Sequence, residues 1–500
     1  MDTLGLDFGI NKYDSDYYLY VNPTFNLNFT DWGIGFQIPL NLLLLDKEPK
    51  MTNSSVGMLR PGDYDSKLDY QKILNYIYFG TYGIYKPEEI TYSIYIGKLF
   101  DGYIGHGTII NRYVNNLTVD HYKQGVMADI NTDWGGVQVF TNSVLDRKEV
   151  NSARAYVRPF GIFLAAYSLY TGGPPKLMMP GNVLDAVGRK KVGEEVDEVS
   201  IIEEKDGKLI ERKEEAPRAK YDDEKPKKTG WGYDHFLNRI ALGYTVAYDG
   251  AAPNQLTFDS TGTLKFDSNN DPLAASTQKI SIEGYDAEFK IFNLSWFELT
   301  PYYDVNRIKF LNNAQGKHYG IHAKIGGKQL NLTVKPEFRQ MDSNYIPIYF
   351  DSYYEIERFQ VNLDNNFPLT KYEYVTDIQS NGSKIKGYYH TVVLNVYSIG
   401  LEGNYEDYDG EDNSRVFVGL YVPIGSMFRI SGFYQKKGFN KFSQAFKMDD
   451  KAMGVGELAV NLSFVTLKVQ NRRRWVFDSE FNQFKSKDET VFMASGGKSF

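Results

Sequence analysis

The chain has no cysteine among its 500 residues, which excludes disulfide staples, thiolate metal sites and cysteine nucleophiles. It also lacks a long hydrophobic run. The longest, Phe160 to Tyr170, is eleven residues, too short for a membrane helix of about 20 but matching the roughly 9–11 of a tilted membrane strand, which is what it is expected to form. There is no basic excess: 56 Lys and Arg against 63 Asp and Glu give a net charge of -7, which argues against a nucleic-acid partner. No Gly-x-Ser-x-Gly elbow is present, and no catalytic residues and no enzymatic activity are expected. The stretch Gly496-Gly497-Lys498-Ser499 is no phosphate loop, because Phe492 stands where the first glycine is required and no helix follows. No signal peptide is visible, and Met1-Asp2-Thr3-Leu4 is already strand-like. The expectation is a mature form with a replacement start methionine.

What is abundant is aromatic. There are 39 Tyr and 32 Phe but only 5 Trp, in a chain whose hydrophobic content is an ordinary 42% and whose mean hydropathy is -0.43. Rings that are apolar at one end and polar at the other suit the two interfaces of a membrane barrel, whose lumen stays wet.

The dominant period is two. From Tyr18 to Phe29, Leu19, Val21, Pro23, Phe25, Leu27 and Phe29 oppose Tyr18, Tyr20, Asn22, Thr24, Asn26 and Asn28. From Gln329 to Phe338, Leu330, Leu332, Val334, Pro336 and Phe338 oppose Gln329, Asn331, Thr333, Lys335 and Glu337. Similar alternation recurs at 285–291, 415–422, 428–435 and 457–464. Strict alternation gives each strand an apolar and a polar face. A soluble sandwich shows it too, but many of these segments exceed the usual strand of about 5–6 residues. The fold class expected is all-β: a transmembrane antiparallel up-and-down barrel spanning 1–500 as one domain. Segment counting gives 14–20 strands, with 16 or 18 preferred as even numbers.

The end of the chain resembles that of Gram-negative outer-membrane β-barrels of the porin-like class, which finish in a strand with a terminal aromatic residue. Here Phe500 is last and Phe492 shares its face, while Lys498 and Gly496 depart from the apolar pattern. The resemblance implies a bacterial outer-membrane location and recognition of Phe492 and Phe500 by the barrel-insertion machinery.

Three segments depart from the barrel texture. Residues 172–233 are charged, with 13 acidic and 12 basic residues between 189 and 228. They read as a mobile surface loop on the extracellular side, where long loops occur. Val199–Ile202, Asp206-Gly207 and Leu209-Ile210 sketch a small hairpin within it. Between 64 and 80, Tyr70, Ile73, Leu74, Ile77 and Tyr78 recur at helical spacing, with Asp65 or Ser66 as N-cap and Gly80 as stop, so an amphipathic helix is expected. Gly105 to His121 mixes small and polar residues, and His106, Asn111 and Arg112 are candidates for a constriction or plug folded into the lumen. An ordinary hairpin with a polar loop fits it equally.

If the apolar faces meet lipid, the pore lining comprises Arg239, Asp286, Glu288, Lys290, Asn331, Lys335, Glu337, Glu457 and Asn461. Arg472 and Arg474 face either the pore or the lipid phosphates. His318 and His322 lie four apart on a strand, about 13 Å from each other, so no metal site is assigned there and no cofactor is expected. The acidic stretches 407–412 and 267–271 read as solvated turns, since neither matches an EF-hand. Three functions fit: a passive channel for small hydrophilic solutes, a plugged barrel transporting a specific and possibly hydrophobic substrate, and a barrel anchoring a lipoprotein or appendage. The expected surroundings are outer-membrane lipids.

Overall fold

A computed structural model describes the chain except residues 1–2, 14–15, 48–54, 117–121, 147, 172–190, 206–207, 222–232, 268–270, 328, 362–368, 378–382, 450, 463–464, 479–482 and 500. The wall is antiparallel and closed. It runs through β1 (Thr3–Tyr13), β2 (Asp16–Asn28), β3 (Trp32–Gln37), β4 (Leu40–Leu45), β5 (Leu74–Phe79), β6 (Thr91–Gly97), β7 (Gly125–Thr132), β8 (Gly135–Thr141) and β9 (Val150–Val157). After a detour it resumes with β12 (Ile240–Leu256), β13 (Ala274–Phe289), β14 (Phe292–Asn293), β15 (Phe297–Ile308), β16 (Gln315–Gly326) and β17 (Leu330–Met341). It ends with β18 (Ile385–Val396), β19 (Ile399–Tyr408), β20 (Ser414–Ile424), β21 (Phe428–Phe439), β22 (Ala452–Leu462), β23 (Val465–Asp478) and β24 (Gln483–Ser499).

β3 and β4 both pair with β2 as two halves of one interrupted strand, and β13 and β14 both pair with β15 in the same way. The barrel therefore has 20 strands, closed where Thr3–Ile10 of β1 meets Phe492–Ser499 of β24. The preferred count of 16 or 18 is thus too low. The undercount falls where strands are short: β5 to β9 are six to eight residues each, below the roughly 9–11 of a tilted membrane strand.

The outer face is apolar on successive strands. Leu4, Leu6, Phe8 and Ile10 of β1, Leu242 and Tyr244 of β12, Val392 of β18, Leu401 of β19, Leu420 of β20 and Val469 of β23 are all exposed. Open water would penalise so much exposed aliphatic surface, whereas hydrocarbon accepts it. The opposite phase carries the polar and charged side chains. Among the described residues no helix is long and apolar enough to cross a membrane.

Two sequence expectations fail here. Phe160–Tyr170 is no strand but most of a helix, α1 (Pro159–Thr171). Pro159 stands at its first position, where proline's fixed φ is favourable and its missing N–H costs nothing. The run is apolar on every side, so it has no period to separate helix from strand. The helix expected over 64–80 is instead a short 3-10 turn, Asp69–Ile73, that runs directly into β5. Tyr76 and Tyr78 of β5 project to one face and Ile77 to the other, which is period two compressed beside a turn.

One end of the barrel carries the turn 133–134 between β7 and β8, 397–398 between β18 and β19, and 425–427 between β20 and β21, together with Thr3 and Ser499. Short turns mark the periplasmic end. The connection from β9 to β12 leaves from this same end, because Val157 pairs with Gly135 and Leu242 there. The charged segment therefore departs from the periplasmic mouth, not the extracellular one expected. Within it, β10 (Lys191–Lys205) pairs antiparallel with β11 (Lys208–Tyr221); the remainder of 172–233 lies almost wholly outside the described residues. The long connections 98–124, 257–273 and 342–384 belong to the other, extracellular end.

Val392, on the outer face midway along β18 opposite Val334, tests the membrane assignment of that face. Val392→Arg is expected to cost about 2–4 kcal/mol in reversible unfolding from lipid vesicles; an unchanged unfolding midpoint would place this face in water.

Candidate functional site: a lumen filled from one side

Two extracellular connections turn inward. The first, between β6 and β7, carries the segment from Gly105. Gly102 and Tyr113 bridge to each other as an antiparallel pair, and the tip between them is buried against the wall. His106 stacks on Tyr302 of β15 with ring centroids 4.3 Å apart. Its Nδ1 lies 2.7 Å from Asp304 and its Nε2 3.0 Å from Glu288. Burial by itself pulls this imidazole down, but the Asp304 and Glu288 carboxylates overcome it and hold the ring up at about 10, so it is an imidazolium at neutral pH. The Lys335 ammonium donates to the His106 carbonyl. Gly105 has φ +55°, and its amide donates to Gln138.

Beyond His106, Thr108 donates to Asp304 at 2.7 Å and Asn111 donates to the Tyr389 hydroxyl at 2.7 Å. Arg112 crosses to the far wall, where it pairs with Glu402 of β19 and its guanidinium sits 3.4 Å from the ring centroid of Phe417 on β20. Its φ of +53° lies in the left-handed region, which costs a non-glycine residue about 1–3 kcal/mol. Such strain persists only where surrounding contacts fix it.

The second connection joins β17 to β18 and contains two short helices, α2 (Tyr354–Glu357) and α3 (Lys371–Asp377). It docks on the first through backbone bonds: Ile348 N to Thr108 O, Phe350 N to Ile109 O, and Asn111 N to Phe350 O, at 3.0–3.3 Å. Ile109, Ile110, Tyr113, Tyr345, Tyr349, Phe350 and Tyr354 form one buried apolar cluster with Phe140, Ile282 and Ile308 of the wall.

Ion pairs fasten this connection at its margins. Lys123 reaches Glu149 at 2.7 Å and Glu355 at 2.8 Å. Arg358 reaches Glu149 at 2.8 Å and Asp249 at 3.1 Å. Lys371 pairs with Glu357 at 2.6 Å, and Arg415 with Asp351. Burial pushes the Asp351 carboxyl up, yet Arg415, Lys371 and Lys437 outweigh it and hold it at about 2.

The filling is uneven. On β7 to β9 and β12 to β18 the inward side chains are covered: Asp129, Arg154, Thr245, Asp304, His318, Glu337, Arg339 and Tyr389 are all buried. On β20 and β21 the inward residues nearer the extracellular end are covered as well, Gln435 bonded to Ser352 at 2.8 Å and Arg415 paired with Asp351, whereas Tyr421 and Phe433 further down remain 46% and 36% exposed. Phe433 stacks on Phe417. Arg429 of β21 pairs with Glu457 of β22 at 2.7 Å on this open side.

The residues read from the sequence as pore-lining thus divide. Asp286, held by Arg154 at 2.6 Å, Glu288, Lys335 and Glu337 come together around the first connection. Lys290 pairs with Glu298 at 3.3 Å, and its amide donates to the carbonyl of Arg239, at the head of β12. Glu457 lies on the uncovered arc. Asn461 is bonded to Ser426 at 3.2 Å at the periplasmic rim, and Asn331 accepts from Thr333 at 3.4 Å in the inward phase of β17. His318 is enclosed between Glu337 at 2.9 Å and Tyr345 at 3.0 Å. Arg472 follows the inward phase of β23, whereas Arg473 points outward to Asp488; the Arg474 side chain lies outside the described residues. Phe492 is exposed on the outer face opposite Ile10, and Phe500 lies outside the described residues.

Sequence reading missed the second connection, together with Phe417, Tyr421 and Phe433. A signal was available in Tyr345-Ile346-Pro347-Ile348-Tyr349-Phe350 and Tyr353-Tyr354: a connection this aromatic seeks burial, unlike a solvated loop.

Known outer-membrane proteins align along the chain at very low similarity. The outer membrane protein OpdK from Pseudomonas aeruginosa aligns over 100% of this chain and 98% of its own, with 8% identity and a TM-score of 0.29. A BenF-like porin from Pseudomonas fluorescens Pf-5 aligns over 100% and 98%, with 9% identity and a TM-score of 0.31. The ferric enterobactin receptor PfeA of P. aeruginosa, as a mutant, aligns over 99% and 72%, with 8% identity and a TM-score of 0.34. No protein-family model matches the sequence, and no curated protein does. Scores this low leave the function to be read from the chain's own geometry.

The His106 cluster carries a pH signature. Its pKa is raised above the unfolded value, so its stabilising contribution is complete below about pH 6.5 and is lost as pH rises through about 10. His106→Gln is expected to cost about 3–5 kcal/mol near neutrality, with the gap from the natural protein closing in unfolding titrations as pH approaches 10. A gap independent of pH would contradict the charged imidazole.

Proposed function

We propose that the chain is an outer-membrane channel for small hydrophilic solutes, constricted by the two inward-turned connections. The observation that carries this reading is the asymmetry of the lumen. The wall facing the connections, Arg415 and Gln435 of β20 and β21 included, is packed and bonded, while Tyr421 and Phe433 lower on those two strands keep exposed side chains. A barrel of this many strands encloses more space than its own side chains fill, and here the connections take up part of it. What remains is bordered by Glu402, Phe417, Tyr421, Arg429 and Glu457, a mixture of both charges and aromatic rings. Fixed charges at a narrow passage bias which ions and polar solutes pass. No chemistry on the solute is required of any residue in this arrangement.

The buried ion pairs around Glu149, Arg358 and Asp351 favour a second reading, a closed plug that moves only when a specific substrate engages it. Conductance separates the two. The purified full-length protein in a planar lipid bilayer is expected to give steady ohmic steps, and Arg112→Ala to raise the step size by about twofold by widening the passage. Silence from inserted protein, with steps appearing only on removal of 105–112, would replace the channel with the plug.

A further inference from the structure

The outer wall carries an uneven distribution of cations at its extracellular rim. On the outward phase of β13 to β18 lie Lys279, Arg307, Lys317 and Lys386, with Lys309 just past β15. Register places them in one row. Arg307 pairs with Gln315, two residues from Lys317; Lys317 stands opposite Gln340, and Gln340 opposite Lys386. With strands about 4.8 Å apart, Lys317 and Lys386 are separated by about 10 Å along the row.

Directly below runs a band of aromatic residues on the same strands. Tyr244 meets Tyr285 at 4.9 Å, Tyr303 meets Tyr319 at 4.8 Å, Tyr319 meets Phe338 at 6.2 Å and Phe338 meets Tyr388 at 5.5 Å between ring centroids. Tyr285, Tyr319 and Tyr388 are exposed. Aromatic bands of this kind sit at headgroup level, so the row above it stands among the headgroups.

The charges of this row are mostly unmatched. Lys309 pairs with Glu283 at 2.8 Å, and Lys279 lies over the Tyr248 ring at 4.4 Å. Arg307 stands opposite the Glu283 that Lys309 already holds, Lys317 and Lys386 have no ion-pair partner among the described residues, and Arg307 and Lys386 are exposed. Elsewhere on the outer face Lys436 is matched by Asp449 at 2.6 Å and Arg473 by Asp488 at 3.2 Å, while Lys12 of β1 has no ion-pair partner among the described residues and lies over the Tyr17 ring at 5.9 Å. Asp407 and Asp409 bound the row beyond β18, and among the described residues several such cations adjoin one another on this arc.

We propose that the Arg307–Lys317–Lys386 arc is a binding site for the phosphate groups of a phosphorylated glycolipid in the outer leaflet, a site that rests on the membrane-channel reading. The guanidinium of Arg307 offers the planar fork that phosphate oxygens accept, and the lysines supply point charges on either side of a broad headgroup. The aromatic band beneath meets the upper acyl chains.

The test uses the full-length protein in phosphatidylcholine nanodiscs doped with lipid A, with retained lipid read by native mass spectrometry after gentle extraction. The natural protein is expected to retain lipid A in preference to its dephosphorylated form and to phosphatidylglycerol. Arg307→Gln, Lys317→Gln and Lys386→Gln together are expected to weaken retention by about fivefold per cation removed, while Lys436→Gln with Arg473→Gln leaves it unchanged. Equal retention of the dephosphorylated lipid, equal retention of phosphatidylglycerol, or full retention by the triple variant each overturns the site. Insertion into the nanodisc is scored separately: protein that inserts without selective retention overturns the lipid site alone, and protein that never inserts overturns the membrane reading with it.

Discussion

Hydrocarbon offers no partner for a backbone N–H or C=O, and each one left unpaired there costs several kcal/mol. A sheet in that solvent must therefore end on itself, and here β24 returns to β1 over Thr3–Ile10. Much else follows from that closure. Twenty strands enclose a cross-section too wide for their own inward side chains to fill. The sequence fills part of it with backbone from two extracellular connections, which bond to each other between Thr108 and Asn111 on one and Ile348 and Phe350 on the other. Backbone away from bulk water needs its polar groups satisfied just as the wall does, and the short pairing supplies that.

Charge placement obeys the same demand. The packed arc of the wall presents Glu288, Asp304, Glu337, Arg339 and Asp249 to an interior from which water is largely excluded. Isolated, any of these ions would be strongly destabilising. The connections bring the counter-charges: His106 sits between Asp304 and Glu288, and Arg358 between Glu149 and Asp249. Removing one member strands the other, so the network specifies where each connection rests. Around Tyr421 and Phe433, where the wall stays exposed, the demand is weaker because water reaches it.

Strict alternation made much of the wall legible. The Leu330–Phe338 phase of β17 and the Leu19–Phe25 phase of β2 could be read directly from residue type, because lipid on one side and a polar lumen on the other make opposite demands at each step. The reading failed where that contrast fades. α1 is apolar on all sides and carries no period, so only Pro159 hinted at its start. β5 is six residues long and emerges from a turn, which mimicked helical spacing. Strands this short also lowered the strand count. At the site, His106, Asn111 and Arg112 were singled out by small and polar neighbours, but their partners lie 182 to 290 residues away. No local pattern names Glu288 or Glu402 as their counterparts. The second connection was passed over because its aromatic content was credited to the barrel as a whole.

The chain's lack of cysteine gives a clean way to examine the lumen, since any thiol introduced is the sole target for a reagent. Ile110, at the tip of the first connection, is fully buried, whereas Tyr421 on the inward face of β20 is 46% exposed. The decisive measurement is the labelling rate of Ile110→Cys and of Tyr421→Cys by a membrane-impermeant maleimide, on folded protein in lipid vesicles. A partly filled lumen predicts rapid modification at 421 and protection at 110 until the protein is unfolded. Equal rates at both positions would mean that the connections do not pack inside the barrel, and would contradict the constricted channel.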